Sequence, residues 1–410
     1  MKKSLLLSVA ASVCIFAGGD IAPVEPAAPA SADFWGQIGF AYQFQDEDWK
    51  NLGFGDTEDN AMSASIVLGV EKELGYGFGF GAELAGWTDF GLDIAEGSRV
   101  ESSGDQTSAE VSQAYLTYTF GNTAIKAGRQ ALPKAVSPWA WSDRSAGVID
   151  WSYDGIVVAN TDLADTTLLG AWIAQIYHNA NEQEHVSENA GLFMLGLVNK
   201  SLSDTTISAA AYYVPESKYD INRLPGASAK DTWSLWANSI SVIHDITFGL
   251  QGAYVDGDYA NSDATFAIAG KIGSQWGNFD AALIASYIDD GDYSLRMAGT
   301  QLEDSALWTD NEENADIVFH STGDTQGQSA VLVRAGYKLP VGKVYGSLGY
   351  WDYDNVKNGY LDNALGARVG YKFNVMGVDS KVEYRYRDRS IKNAKDETRQ
   401  RIRVEAYYKF

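Results

Sequence analysis

The sequence predicts an all-β protein, a closed antiparallel transmembrane barrel of 18 strands, with 16 as the rival count. Three observations carry this. Apolar and polar side chains alternate with period two in run after run, the signature of strands with one apolar face. The gaps between runs are alternately short and long. No uninterrupted apolar run long enough for a membrane helix follows the N-terminal residues, which excludes a helical membrane protein but not a barrel, because alternation halves the apparent hydropathy. Tyr 23, Phe 16, Trp 12 and Gly 41 against Pro 8 suit a sheet with many tight turns.

Residues 1–17 read as a secretory signal peptide: Met1-Lys2-Lys3, an apolar stretch from Leu5 to Phe16, and a small residue at Ala17. The single cysteine, Cys14, lies within it, so disulfides are expected to play no part; a lipoprotein reading of Cys14 is the alternative, against which Val13 is a poor fit. Residues 18–33 hold three of the eight prolines and read as an extended leader, and the barrel is expected over 34–410. The formal net charge is −23, and losing Lys2 and Lys3 takes it to −25. That balance argues against nucleic acid as a partner and permits cations, with divalent bridging to lipopolysaccharide.

Alternation then runs along the chain. Ile38, Phe40, Tyr42 and Phe44 share one face, followed by Met62 to Val70, Phe78 to Leu84 and Ala114 to Phe120 in steps of two. Further on, Phe248, Leu250 and Tyr254 share a face, as do Val331 to Leu339 and Leu365 to Phe373. Runs such as Leu192-Phe193-Met194-Leu195 are apolar on both faces, and periodicity leaves their inward side open. Eight short gaps and nine long ones connect 18 strands with both chain ends on the short side. Outer-membrane barrels have this plan of short periplasmic turns and long outer loops. The long loops are acidic, as at Asp289-Asp290-Gly291-Asp292, and none has calcium-loop spacing.

The last strands are the most informative. Ile402, Val404, Ala406, Tyr408 and Phe410 alternate with Arg401, Arg403, Glu405, Tyr407 and Lys409, and Val382, Tyr384 and Tyr386 with Lys381, Glu383, Arg385 and Arg387. Of 31 Lys and Arg, 16 fall in residues 329–410. Nine of these (Arg334, Lys338, Arg368, Lys372, Lys381, Arg385, Arg387, Arg401 and Arg403) lie opposite the apolar face of their strands. A charge facing lipid at mid-depth costs about 2–4 kcal/mol, so this basic ladder must face water. Tyr408 and Phe410 form an alternating, aromatic C-terminus that resembles the signal read by the barrel-assembly machinery.

The third long loop, from Arg129 to Tyr153, differs from the rest. It carries Pro133, Pro138, Trp139, Trp141, Trp151, Lys134, Asp143, Arg144 and Asp150, more large aromatics than a free outer loop needs, and it is expected to fold into the lumen. Arg129, Lys134, Trp139, Trp141, Asp143 and Arg144 are its candidate constriction residues. The alternation that turns Ile125 and Ala127 outward would also turn Arg129 outward; either the strand ends or bulges there, or Arg129 makes a rim contact. Catalytic signals are weak: His178, His185, His244 and His320 make no metal spacing, no Gly-x-Ser-x-Gly elbow or P-loop occurs, and neither enzyme activity, metal nor cofactor is predicted.

Ala124-Ile125-Lys126-Ala127-Gly128-Arg129-Gln130-Ala131-Leu132, Ser142-Asp143-Arg144 and the run Asn160 to Ala171 resemble the Opr-type porins of campylobacter-related bacteria, relatives of the OprD-type porins of pseudomonads; the Gly18 to Pro23 leader is similar too. The close resemblance covers 124–171. It implies an 18-stranded porin with an inward third loop and a basic ladder on the opposite wall, passing ions and small hydrophilic solutes through the outer membrane of a Gram-negative bacterium. The implied surroundings are outer-membrane lipid and lipopolysaccharide, and a homotrimer is the candidate assembly. A barrel whose outer loops, notably 215–231 and 289–327, serve as adhesin or receptor is the alternative.

Overall fold

The computed structural model describes residues 32–47, 60–88, 108–140, 142, 152–178, 182–185, 190–217, 230–258, 262–293, 295, 307–309, 327–353, 361–392 and 395–410. The signal peptide and nearly all of the leader lie outside these residues.

In chain order the strands are β1 (Asp33–Glu47), β2 (Asn60–Gly75), β3 (Phe78–Thr88), β4 (Ser108–Phe120), β5 (Thr123–Gln130), β6 (Ser152–Asn160), β7 (Thr166–His178), β8 (Glu182–His185), β9 (Leu192–Asn199) and β10 (Thr205–Ser217). They continue as β11 (Lys230–Ile243), β12 (Ile246–Gly257), β13 (Thr265–Trp276), β14 (Phe279–Ile288), β15 (Ser329–Lys338), β16 (Lys343–Asp352), β17 (Leu361–Val375), β18 (Val378–Ile391) and β19 (Glu397–Lys409). Each pairs antiparallel with its sequence neighbour, except that β7 pairs directly with β9 while the short β8 only prolongs the outer end of β7. β1 pairs with both β2 and β19, so among the described residues 18 strands close a ring and the predicted number holds.

Closure leaves every strand with one face outside and one inside, and the alternation decides which. Leu84, Leu116, Leu195, Leu250 and Leu348 point outward and are more than half exposed. Their strand neighbours Glu83, Tyr115, Met194 and Gln251 point inward and are buried. Aromatic pairs flank this aliphatic band at both ends. Near the short turns stand Phe78–Tyr118 (4.5 Å between ring centroids), Trp276–Phe279 (5.9 Å) and Tyr408–Phe410 (6.2 Å). Near the long loops stand Phe193–Tyr213 (6.4 Å), Trp233–Tyr254 (5.0 Å) and Phe266–Tyr287 (6.2 Å). An apolar belt between two aromatic girdles is the outer surface of a membrane-spanning barrel, since no aqueous solvent stabilises so much exposed hydrocarbon.

The turns follow the backbone rules. Tyr76-Gly77, His244-Asp245 and Met376-Gly377 are two-residue connections with both residues at positive φ, the turn whose twist matches paired strands. Neighbouring turns are tied together: Thr161 N–H donates to Asn122 O (3.0 Å), and the Asn122 and Asn160 amides donate to Asp162, holding its carboxyl below the usual range.

The seam between β1 and β19 depends on a glycine. Gly36 N–H donates to Phe410 O (2.7 Å) and Phe410 N–H returns to Gly36 O (2.9 Å). The Phe410 ring lies where a side chain at 36 would be, a Cβ there falling 2.5 Å from the ring. Gly36→Val is therefore expected to impair closure while leaving the C-terminal sequence intact, read as loss of the heat-modifiable folded band in electrophoresis; a wild-type band would mean that the seam does not need the space. Leu250→Arg places a cation at mid-belt and should destabilise the barrel in bilayers by about 2–4 kcal/mol, measured by denaturant titration.

Candidate functional site

The inside of the ring has two unlike walls. One is built by β15 to β19, and strand register places its charges in rows. Arg334 pairs with Ser347, Ser347 with Arg368, Arg368 with Arg385 and Arg385 with Arg401, a continuous row across five strands. Toward the loops, Arg387 faces Arg399 and Arg389 faces Glu397, with Arg389 Nη2 to Glu397 Oε2 at 2.6 Å. Toward the turns, Lys343 faces both Lys338 and Lys372, and Lys372 faces Lys381. All nine ladder residues are thus on the lumen side of consecutive strands. Arg387, Arg389, Arg401 and Arg403 are 2–5% exposed. Arg389 and Arg399 belong to the wall as well; they stand at strand ends, where alternation gives way to loop and the face is harder to read.

Carboxylates and a tyrosine are set into the ladder. Glu383 accepts from Arg385 Nε in a short contact and from Tyr345 OH (2.5 Å), with Arg368 Nη1 at 3.8 Å. Glu405 lies 2.8 Å from Lys381 Nζ and 2.5 Å from Arg403 Nε. The Tyr345 ring carries Arg368 and Lys372 at 5.3 and 5.2 Å. Lys343 pairs with Asp280 (2.7 Å) on β14.

The other wall is apolar, and loop three is seated on it. Leu132, Val136, Trp139 and Ala140 are buried in one cluster with Ile173, Leu192, Met194, Tyr212 and Trp236, the inward residues of β7 to β11. Trp139 packs on Tyr212 (5.7 Å) and its backbone N–H donates to the Tyr212 hydroxyl (3.3 Å). The segment is compact: Ser137 Oγ donates to Pro133 O (2.8 Å) and Ala140 N–H to Ser137 O (3.1 Å), with half-buried Lys134 in the turn. Gly196 on β9 admits it, since a Cβ there would collide with Val136 O. Hence the third loop folds inward, as predicted. Trp141, Asp143 and Arg144 lie outside the described residues.

The loop's root is held by a device that no periodicity announces. A bulge in β4 puts Val111 opposite Leu84 and Gln113 opposite Glu83, so both Ser112 and Gln113 meet the buried Glu83. Ser112 Oγ donates to Glu83 in a short contact and Gln113 Nε2 donates to it at 3.0 Å; Gln113 Oε1 in turn accepts from Ala131 N–H (3.0 Å), the first residue of the loop. Arg129 takes the outward side. It pairs with Asp154 (3.0 Å), donates to Val111 O (2.9 Å) and lies 3.3 Å over the Tyr177 ring, a rim contact rather than a companion of Trp139 in the lumen. A second bulge, which skips Ala174 in β7, turns Ile173 and Ile176 both inward and leaves Tyr177 out beside it.

A second loop also enters. Trp308, from the segment between β14 and β15, lies over Gly249, its backbone N–H donates to Gln251 Oε1 (2.9 Å), and Lys271 Nζ stands 5.5 Å from its ring. Thr309 and Ser286 share a hydroxyl bond (2.7 Å). Part of the loop at 289–327 therefore lines the lumen. Among the described residues no group of three or more His, Cys, Asp or Glu is placed to hold a metal. His244 is a turn residue, His178 ends β7, His185 ends β8, and His320 lies outside the described residues.

In the ring order, β9 and β10 are the eighth and ninth strands and β18 and β19 the seventeenth and eighteenth, so the wall under loop three is diametrically opposite the ladder's most basic strands.

The sequence matches no protein-family model and no curated protein. Solved structures do share the fold. A BenF-like porin from Pseudomonas fluorescens Pf-5 superposes with TM-score 0.69 at 14% identity, over 92% of this chain and 99% of that one. Pseudomonas aeruginosa OccK3 (OpdO) superposes at 0.65 and 15%, over 92% and 96%, and Acinetobacter baumannii OccAB4 at 0.65 and 14%, over 94% and 100%. The chain is thus similar along nearly its whole length to these channel folds, the 18-stranded barrel with short turns at one end and long loops at the other.

Proposed function

We propose that this protein is an outer-membrane porin that lets ions and small hydrophilic solutes diffuse passively between an inward loop and a basic ladder. The observation that carries the reading is the closed ring itself. Its outside is hydrocarbon between aromatic girdles, and its inside bears Arg368, Arg385 and Arg401 side by side on adjacent strands, a row of charge that lipid could not accommodate. The fold shared with a BenF-like porin and with the Occ proteins supports it, as does the likeness of residues 124–171 to the OprD-type porins.

In this reading the short turns are periplasmic, residues 1–17 are a signal peptide and 18–33 a leader. Tyr408 and Phe410, exposed on the outside of the last strand, serve the assembly machinery, and lipid and lipopolysaccharide surround the barrel, which is a candidate homotrimer. Cations fixed on one wall and an apolar loop on the other favour anions and orient carboxylates and zwitterions, because the charge lies to one side of the path. The reading needs no reaction, metal or cofactor.

Purified protein should give discrete single-channel conductance steps in planar bilayers; a bilayer that stays sealed at all voltages sinks the reading. Neutralising Arg385 and Arg403 should move the reversal potential in a salt gradient toward cations. Gly196→Leu pushes the carbonyl of Val136 off the wall toward the axis, so single-channel conductance should fall, and an unchanged value would mean that the loop does not narrow the path.

A further inference from the structure

The ladder's charge is uneven along the strands. On β18 and β19 the inward pairs on the turn side are Asp379–Tyr407, Lys381–Glu405 and Glu383–Arg403, two cations among three carboxylates. The next four, Arg385, Arg387, Arg399 and Arg401, are all cationic, and Arg385 stands directly opposite Arg401 as Arg387 does opposite Arg399. Like charges directly across a strand pair repel, and an anion beside this double row would relieve that repulsion. Glu383 and Glu405 are almost wholly buried and each is shared by two basic side chains, Glu405 by Lys381 and Arg403, Glu383 by Arg385 and Arg368. Burial in a wall of lower dielectric strengthens these pairings and takes much of the cationic charge away from the path. A channel needs this, since a site that binds without a weaker site beyond it retains its ion.

We propose that Glu383 and Glu405 set the selectivity of the channel by offsetting the ladder's charge at the turn-side margin of the arginine rows, Glu383 against Arg368 and Arg385 and Glu405 against Lys381 and Arg403, so that an anion attracted by the rows is released past them. The inference rests on the porin reading above. Glu383→Gln and Glu405→Gln leave the shapes almost unchanged and add a net cation each. Each should raise the chloride-over-potassium permeability ratio about twofold, measured from reversal potentials in a KCl gradient, and should make conductance saturate at lower KCl. Arg403→Gln with Glu405→Gln removes one charge of each sign and should return the ratio to the wild-type value. Ser347→Glu, which adds a carboxylate to the arginine row between Arg334 and Arg368, tests the same idea if a Gln variant fails to insert, and should lower the ratio about twofold.

Single Gln variants that conduct with an unchanged ratio, while neutralising Arg385 and Arg403 shifts it, overturn the role of the carboxylates and leave the porin standing. An unchanged ratio in Ser347→Glu would do the same where the Gln variants are lost. A wild-type protein that never conducts overturns both.

Discussion

Everything in this molecule depends on the pairing of β1 with β19. Until Gly36 and Phe410 exchange their backbone hydrogen bonds, the sheet has two edges with unpaired N–H and C=O groups, which hydrocarbon cannot satisfy. Once they pair, inside and outside become distinct, and period-two alternation acquires a physical meaning in all 18 strands of the ring. A slip of one residue at the seam would turn Arg401 and Arg403 into lipid and Ile402 and Val404 into the lumen. The Phe410 ring filling the space over Gly36 makes the chain's last residue part of the closure as well as its end.

Within the closed ring the lumen is divided by chemistry. Small and apolar inward residues of β9 to β12, among them Gly196, Ala210 and Ala253, leave room for two loop segments to settle, and burial of Trp139, Leu132 and Leu307 holds them there. Long cationic side chains instead occupy the inner face of β15 to β19 through its middle. The path for solute runs between the wall that the loops cover and the wall of charge. Polar anchors rather than hydrophobic ones hold the loop's root, through Glu83, Gln113 and the N–H of Ala131, because the backbone there must leave the ladder and still find a partner.

Much of this was legible from residues alone. The strand number followed from the alternation of short and long gaps, and the ladder from the cost of nine charges in lipid. The illegible parts have separate causes. Arg129 reads as a loop-three residue by position and as outward by alternation; it stands on the outer face, and what could not be read is that a bulge in β7 brings Tyr177 beside Asp154 to meet it there. Bulges insert one residue without a compositional mark, so periodicity counted through them assigns the residues beyond to the wrong face. Trp308 gave no sign of entering the lumen; its seat is Gly249, which alternation places on the inner face but which no local pattern links to a residue 59 positions away. The doubly apolar run at Leu192 to Leu195 was ambiguous until Met194 packed under the loop and Leu195 faced outward.

The sequence by itself determined the class of fold, the number of strands, the face of each clean strand and the existence of a basic wall, because these depend on local alternation and on the penalty for charge in hydrocarbon. Tertiary structure alone decided which wall the loops cover, that Glu383 meets Arg368 and Glu405 meets Lys381 across neighbouring strands, and that the loop wall and β18–β19 lie half a ring apart. Those are relations between residues far apart in the chain, and they come into being only when the sheet closes and brings the eighth and ninth strands to face the last two.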